Sequence, residues 1–188
     1  LERITAVVNG LTDVFQTDTY LPIIKQLESQ TKVNYNSDSE NASNFRIIAD
    51  NLRSAVAIAS EGIYPSNKLQ GYVLRSLIRR AAAKLRELTK DSTAAVIASC
   101  VEKIKNGKQV GNILIEEAGK FEKILAEGVL LVQKNPKIDP FELYQTYGIP
   151  FEVTLQIFSD AGRELEVDDK KVFDEKLKEH QEKSRSAS

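Results

Sequence analysis

Residues 45–62 read FRIIADNLRSAVAIASEG, and they carry the clearest structural pattern in the chain. Within this segment apolar residues return every three or four positions, as at Ile48, Leu52 and Val56, which is the spacing of one face of an α-helix. Gly62 follows and can adopt the left-handed conformation in which helices commonly end. The segment therefore predicts an amphipathic helix with one buried face.

The same spacing extends through most of the sequence. It predicts helices over residues 69–89 and 113–133, with Tyr72 and Val73 among the apolar residues of the first. Only residues 32–44 are rich enough in Asn and Ser to predict a loop by composition. Because no segment alternates between apolar and polar residues as a half-buried strand would, the sequence predicts an all-α fold. We expect a helical bundle of antiparallel helices with a smaller C-terminal helical subdomain.

The overall composition excludes several classes of protein. The chain has 188 residues, of which 41% are hydrophobic and 28% charged, so it can bury a core. It carries 26 Lys and Arg residues against 27 Asp and Glu residues, and this balance excludes a globally basic nucleic-acid-binding protein. Its single cysteine excludes a disulfide framework and is typical of a reducing compartment. No apolar run approaches the roughly 18 residues that span a bilayer. Since the chain contains no methionine, we expect it to be processed or cut from a longer protein.

Residues that commonly perform catalysis are scarce. His180 and Cys100 are the only histidine and the only cysteine, so they cannot build the usual zinc sets or a Cys–His nucleophile pair. The apolar helical face around Cys100 predicts a buried structural thiol. The adjacent carboxylates of Glu116 and Glu117 are interpreted as solvent-facing charges, and no glycine-rich phosphate loop occurs. The sequence therefore predicts no catalytic residue and no metal site.

Positive charge is concentrated in one segment despite the balanced total. Residues 64–90 contain seven basic residues and a single acidic one. Arg75 and Arg79 are four positions apart, as are Arg80 and Lys84, so each pair lines up along the predicted helix. The planar guanidinium group matches phosphate oxygens well, although a basic helix face is more often an ordinary solubilising surface. The charge pattern alone leaves both interpretations open.

Several longer motifs occur in a characteristic order. FRIIADNLR at residues 45–53 is followed by GIYPSN at 62–67 and GYVLRSLIRRA at 71–81. Together these motifs resemble the helical tRNA-recognition domain of alanyl-tRNA synthetases. LYQTYGIP at 143–150 and the closing charged helix are similar to the same domain, and LERI at 1–4 looks like the end of the class II motif 3. The resemblance covers nearly the whole chain.

This resemblance implies a division of the chain into three parts. Residues 1–12 would be a remnant of the class II catalytic domain, residues 13–136 the tRNA-recognition bundle, and residues 137–188 the C-terminal helical subdomain. Arg3 corresponds to the motif 3 arginine that contacts an ATP phosphate. The parent enzyme would be a cytoplasmic alanine–tRNA ligase that uses ATP with magnesium and carries catalytic and editing domains elsewhere in the same chain. The fragment itself is expected to bind no cofactor, DNA or membrane and to lack the aminoacylation site.

The resemblance also implies an RNA partner, the acceptor stem of tRNA(Ala), and a way to read it. A-form RNA offers a wide, shallow minor groove, into which the guanine of a G·U wobble pair projects an amino group without a pairing partner. Asn67 matches the family asparagine that reads this group, since an amide side chain both donates and accepts hydrogen bonds. Pro65 stiffens the loop before it. The second reader in the family is an Asp, and Gln145 stands at that position, where it keeps an acceptor but loses the charge.

Basic residues near Asn67 are predicted to hold the phosphate backbone, which sets register more than sequence. They are Arg75, Arg79 and Arg80, which match basic family positions, together with Lys68. Gln70 and Ser76 stand where arginines are usual, and Asn51 replaces the usual histidine, so phosphate contact is expected to be thinner than in a typical member. These departures leave open an alternative in which the chain is a helical scaffold that has lost specific tRNA recognition.

Plainer interpretations of single residues also stay open at this stage. Asn67 can be a turn or N-cap residue of the helix that follows, and Gln145 an ordinary surface residue. Tyr72, Tyr144 and Tyr147 are predicted to pack in the core or along a groove wall, because a paired acceptor stem leaves few bases free for stacking.

Overall fold

The computed structural model describes residues 2–36, 38–147, 149, 151–163 and 167–186. These residues form nine α-helices, a 3-10 helix at Val14–Gln16 and no β-strand, which confirms the predicted all-α fold. The α-helices are α1 Glu2–Val8, α2 Leu21–Thr31, α3 Ser39–Ser60, α4 Leu69–Leu88, α5 Thr93–Val101, α6 Gly107–Lys134, α7 Pro140–Tyr147, α8 Phe151–Asp160 and α9 Val167–Ser186.

The main core lies between α3 and α4. Both helices bury one apolar face completely, with Phe45 and Leu52 on α3 and Ile78 on α4 among the fully buried side chains. The helices are antiparallel, since Nδ2 of Asn44 near the start of α3 donates to Oε2 of Glu87 near the end of α4, 2.9 Å away. The apolar spacing of residues 45–62 therefore correctly predicts the face of α3 that is buried in this core.

Two predicted boundaries are wrong. Helix α3 begins at Ser39, inside the segment that composition marks as a loop, because Asp38 caps it by accepting a hydrogen bond from the backbone N–H of Asn41 at 2.7 Å. Helix α6 begins at Gly107, six residues before the predicted start at 113. In each case a polar first turn is helical although it lacks the apolar spacing of a buried face.

The predicted apolar face of α4 is also wrong in its first turns. Tyr72 and Val73 are exposed, and the buried face instead passes through Leu74, Ile78 and Leu85. The three buried residues recur at helical spacing, whereas positions 72 and 73 point well away from that stripe. The expectation that Tyr72 packs in the core is thus corrected.

Two arginines of α3 connect it to the N-terminal elements. Arg46 donates to Asp13 at 2.9 Å and to the hydroxyl of Tyr35 at 2.7 Å, and that hydroxyl donates in turn to Asp13 at 2.5 Å. Arg53 donates to Glu2 on α1 and, at 3.1 Å, to the hydroxyl of Tyr20. Each guanidinium therefore has a carboxylate and a phenol as partners. The two arginines of the FRIIADNLR motif thus connect α3 to the N-terminal elements instead of facing a ligand.

Ser92 and a carboxylate of α6 together cap the start of α5. The carboxylate of Glu122 accepts hydrogen bonds from the backbone N–H of Thr93 at 2.5 Å and from its hydroxyl at 3.0 Å, while Ser92 caps the backbone N–H of Ala95 at 3.4 Å. A carboxylate at a helix N-terminus is favourable because the first N–H groups lack partners within the helix. On α5 the thiol of Cys100 is fully buried as predicted, and burial raises its pKa to about 12.

The chain divides into two compact units, Leu1–Glu122 and Lys123–Ser188, with the boundary inside α6. Within the second unit the ring of Phe173 on α9 lies 4.8 Å from that of Phe151, 5.6 Å from that of Tyr144 and 5.8 Å from that of Phe141, measured between centroids. These aromatic contacts form the core that joins α7, α8 and α9. The predicted domain boundaries after residues 12 and 136 stay predictions.

Candidate nucleic-acid interface

Asn67 lies in the loop that joins α3 to α4, and its side chain is exposed. The loop begins at Gly62, whose φ of +78° confirms the left-handed conformation predicted for it. It ends at Lys68, the N-cap residue of α4, so Asn67 precedes the cap and the plainer interpretation as an N-cap residue is wrong. The loop therefore presents the Asn67 amide to solvent at the first turn of α4.

Gly71 lets this loop fold back on α4. The backbone N–H of Ser66 donates to the carbonyl of Gly71 at 3.0 Å, and the hydroxyl of Ser66 donates to the carbonyl of Lys68 at 3.0 Å. A Cβ atom at position 71 would lie 2.2 Å from Oγ of Ser66 and 2.5 Å from the carbonyl oxygen of Tyr64. Both distances are far below van der Waals contact, so this loop conformation requires glycine.

Arg75 reaches back from the second turn of α4 to the loop. Its Nη1 donates to Oδ1 of Asn67, and its guanidinium carbon lies 5.7 Å from the ring centroid of Tyr72. Burial lowers the pKa of Arg75, and the positive charge of Arg79 one turn away lowers it further, whereas Glu117 and Tyr72 raise it. The structure thus brings together Asn67 and Arg75, two residues that the sequence assigns to RNA binding.

Arg79 forms a nearly buried ion pair inside the protein. Its Nε donates to Oε1 of Glu117 on α6 at 2.7 Å, and its guanidinium lies 5.5 Å from the ring centroid of Phe121. Only 12% of the Arg79 side chain and 8% of the Glu117 side chain are exposed. The expectation that Glu117 faces solvent is therefore wrong, because this carboxylate neutralises a nearly buried guanidinium.

Arg80 and Lys68 are exposed, unlike Arg79. Arg80 is five residues beyond Arg75, so its side chain leaves α4 about 140° further around the helix. Lys84 pairs with Glu87 at 2.8 Å. The basic residues of α4 therefore do not form one uniform row of free charges. They divide into exposed groups and groups held by the protein.

Gln145, the predicted second reader, lies on α7 in the second unit and is exposed. Beside it Tyr144 packs on Phe173, as predicted, whereas Tyr147 is exposed. Gly148 and Pro150, which belong to the same motif, lie outside the described residues, as does Leu1 at the other end of the chain.

Besides Gln145, the three other departures from the family pattern have different locations. Gln70 and Ser76 are exposed on α4, where an arginine side chain would also be exposed. Asn51 is buried on α3, and its Nδ2 makes no hydrogen bond to any residue that the structure describes. The change at Asn51 therefore concerns packing of the bundle rather than phosphate contact.

A nucleotide site was predicted only through Arg3. Arg3 is exposed on the seven-residue helix α1, whose other charged residue, Glu2, pairs with Arg53. Throughout the described ranges no cluster of three or more His, Cys, Asp or Glu residues could hold a metal ion. A magnesium-bound triphosphate is held by one or two carboxylates and further donors, and Arg3 is the one residue assigned to it here.

None of the helices described combines the length and the hydropathy that a membrane crossing requires.

Sequence reasoning missed Glu117 as a partner of the basic helix. A signal was available, because Glu117 is three residues after Leu114 and four before Phe121, both of which belong to the buried face of α6. A carboxylate at such a position must be paired, which points to an arginine on a neighbouring helix.

Comparison with known proteins gives consistent matches along the whole chain. The model of the family described as tRNA synthetases class II (A) matches residues 1–188. An alanine–tRNA ligase of Thermotoga maritima is 37% identical over 204 residues, and one of Fervidobacterium nodosum is 36% identical over the same length. An alanine–tRNA ligase of Listeria innocua is 31% identical over 209 residues. Each match covers all of this chain but only 23% of the relative, so the chain spans about a quarter of the length of these curated relatives.

Proposed function

Because the chain belongs to the class II (A) tRNA synthetases, we propose that it is the tRNA-recognition part of an alanine–tRNA ligase. In this proposal it binds the acceptor stem of tRNA(Ala) and recognises a G·U wobble pair in the minor groove. The observation that carries the proposal is the exposed amide of Asn67, which stands at the first turn of a basic helix and is held there by Arg75.

The chemistry of the amide suits this task. A minor-groove guanine amino group is a donor and needs an acceptor, which Oδ1 of Asn67 supplies. The Nδ2 group of the same amide can donate to a base oxygen or a ribose hydroxyl nearby. A loop residue is appropriate here, because the loop reaches beyond the helix surface while Gly71 fixes its path.

Gln145 is the second reader in this proposal. Its exposed amide on α7 keeps the acceptor that the guanine amino group requires. A neutral amide forms weaker hydrogen bonds than a carboxylate, roughly half as strong, so we expect Gln145 to contribute less to discrimination than an Asp at this position would.

Phosphate contact falls to the exposed basic residues. Lys68 and Arg80 are accessible, and such contacts position the protein on RNA without reading sequence. Arg79 remains a predicted phosphate contact, but its ion pair with Glu117 means that substituting it would also disturb the packing of α4 on α6. Lys68 and Arg80 are therefore the residues with which to test phosphate binding.

The complete enzyme would attach alanine to tRNA(Ala) with ATP and magnesium. The rest of its chain would supply the aminoacylation site. Arg3 is the one residue of this chain that we assign to ATP, by its match to motif 3. A cytoplasmic location is in keeping with a single thiol that is buried.

A binding titration tests the proposal. The 188-residue chain is titrated into two fluorescent acceptor-stem hairpins that differ only in one pair, G·U or G·C. We expect tighter binding to the G·U stem, and Asn67→Ala should remove about fivefold of that preference, equivalent to ~1 kcal/mol for one hydrogen-bonded reader. Gln70→Ala is the matched control, since Gln70 is also an exposed amide, three positions after Asn67, but is not assigned to base reading.

Two outcomes would contradict the proposal. If Asn67→Ala weakens both stems equally, Asn67 does not read the base pair. If the chain binds neither stem even at low salt, the scaffold alternative is favoured, as the substitutions at Gln70, Ser76 and Gln145 would suggest.

A further inference from the structure

The Asn67 side-chain amide can face the RNA in either of two orientations. The two ends of an Asn side chain have nearly the same shape, yet one accepts hydrogen bonds and the other donates them. A rotation of the amide by half a turn would exchange them. An exposed amide without a partner can adopt both orientations, and it then has no fixed preference for a donor or an acceptor on the RNA.

A guanidinium group removes this ambiguity, because it carries five donors and no acceptor. Whichever part of the amide faces Arg75 must therefore be the oxygen, as the structure has it. We propose that Arg75 is a positioning residue, which fixes the Asn67 amide with Oδ1 on the side of α4 and thereby sets the preference for a G·U pair. This inference rests on the proposed function and adds a residue that determines its specificity.

The surroundings of Arg75 keep it in this role. Tyr72 is 52% exposed, and the guanidinium lies beside its ring, which limits the positions that the long side chain can adopt. Arg79 one turn away would repel Arg75, but Glu117 neutralises Arg79 through a nearly buried ion pair. Arg75 can thus rest against the helix and the loop instead of extending towards a phosphate.

The fixed amide presents two distinct edges to RNA. Arg75 uses one of the two lone pairs of Oδ1 and leaves the other for a guanine amino group. The Nδ2 group is on the other end of the amide, where it can donate to an acceptor of the RNA. Without Arg75 the amide would have to be ordered when RNA binds, and it could also present its donor to the guanine amino group, which favours neither stem.

The first part of the test uses the free protein and needs no RNA. The side-chain amide of Asn67 is followed by nitrogen-15 NMR in the wild-type chain and in Arg75→Lys and Arg80→Ala. A lysine ammonium also carries only donors, but it lacks the planar fork that lies beside the ring of Tyr72 and reaches Asn67. In Arg75→Lys we therefore expect the two Nδ2 proton resonances to move and the side chain to become more mobile on the nanosecond scale. Arg80→Ala is the matched control and should leave these signals unchanged.

The second part measures discrimination between the G·U and G·C hairpins. Arg75→Lys keeps the charge, so we expect its affinity for the G·C stem and its salt dependence to stay near those of the wild-type chain. Its preference for G·U should fall about fivefold, as far as in Asn67→Ala, and the double variant should lose no more. A residue that only holds the fold together would change the melting temperature and not this ratio.

The outcomes separate the inference from the proposed function. If Arg75→Ala weakens both stems equally and lowers the salt dependence by about one phosphate contact, Arg75 binds phosphate and the inference is overturned. It is also overturned if Arg75→Lys leaves the Asn67 signals and the G·U preference intact. If Arg75→Lys frees the amide but wild-type protein shows no G·U preference, the orientation of Asn67 by Arg75 stands and the proposed function fails.

Discussion

Two segments of the chain carry arginines in family motifs, and the arginines of the two segments have different hydrogen-bond partners. In residues 45–53 of α3, Arg46 and Arg53 each bind a carboxylate and a phenol. In residues 71–80 of α4, Arg75 binds the neutral amide of Asn67 and lies beside the ring of Tyr72, and Arg80 is exposed. The first segment uses its guanidinium groups to hold the bundle together, whereas the second keeps positive charge at the surface.

The difference shows what decides the role of an arginine. A guanidinium paired with a carboxylate contributes no net charge to its surroundings, so it offers little to an incoming anion. A guanidinium that faces an amide or solvent keeps its charge for a ligand. Arg79 belongs to the second segment by sequence but to the first by its environment, because Glu117 neutralises it.

The largest expected effect comes from removing that neutralising charge. Glu117→Gln leaves the guanidinium of Arg79 nearly buried and unpaired, and we expect it to lower the free energy of unfolding by about 3 kcal/mol. The change is measured by urea unfolding followed by far-UV circular dichroism. It would convert Arg79 from a structural group into an unpaired charge and so tests the comparison directly.

Glu116→Gln is the control for this experiment. Glu116 is the preceding residue of α6, and its ion pair with Lys120 at 3.6 Å is largely exposed. Its substitution should change the free energy of unfolding by less than about 0.5 kcal/mol. Equal effects at positions 116 and 117 would contradict the assignment of Arg79 to the structural group.

A smaller effect is expected where the first segment meets the N-terminal elements. Burial raises the pKa of Asp13, but hydrogen bonds from Tyr35, from the backbone N–H of Phe15 and from Arg46, with the charge of Arg46, outweigh it and hold the pKa below its usual value. The stability that Asp13 contributes is therefore complete above the pKa of the unfolded chain, about 3.9, and is lost as the pH falls through the lower pKa of the folded protein.

Asp13→Asn should lower the free energy of unfolding near neutral pH by about 1.5 kcal/mol, since it removes the charge that strengthens these hydrogen bonds. Urea unfolding at several pH values should show a gentler loss of stability in acid for this variant than for the wild-type chain. Asp18→Asn, at an exposed position nearby in the sequence, should have almost no effect on stability near neutral pH. An unchanged acid profile in Asp13→Asn would show that the Arg46 network is not coupled to its carboxylate.

The smallest effect on stability is expected at Arg80. Arg80→Ala should change the free energy of unfolding by less than about 0.5 kcal/mol, because the side chain is exposed. It should weaken binding to both acceptor-stem hairpins by about fivefold at low salt and reduce the salt dependence by about one phosphate contact. Lys103→Ala, at an exposed position after α5, serves as the control. A large loss of stability in Arg80→Ala would place Arg80 with the structural arginines.

Much of the fold could be predicted because helices record their buried face in the sequence. The spacing of Ile48, Leu52 and Val56 predicts the buried face of α3 correctly. The prediction fails where a helix begins with polar residues, as α3 does at Ser39, since composition cannot distinguish a capped polar turn from a loop.

The candidate site could be predicted in part. Motif order leads to Asn67, and its exposure agrees with a role at the surface. The partners of the basic residues could not be predicted, because the contacts depend on the tertiary fold. Glu117 is 38 residues from Arg79 in the sequence, and Arg75 contacts Asn67 only because the loop folds back on α4. Charge counting along α4 treats all basic residues alike, whereas pairing across helices distinguishes them.

At position 71 the helix propensity of the residue and the space that the loop leaves for it favour different side chains. Alanine is a better helix former than glycine by about 1 kcal/mol, but a Cβ atom at position 71 would lie 2.5 Å from the carbonyl oxygen of Tyr64, so the loop would have to move before α4 could gain from the exchange. The extra methyl group would push Ser66 outwards and carry the neighbouring amide away from its guanidinium. A variant library must therefore be sorted by RNA binding as well as by thermal stability if the position of the Asn67 amide is to be kept.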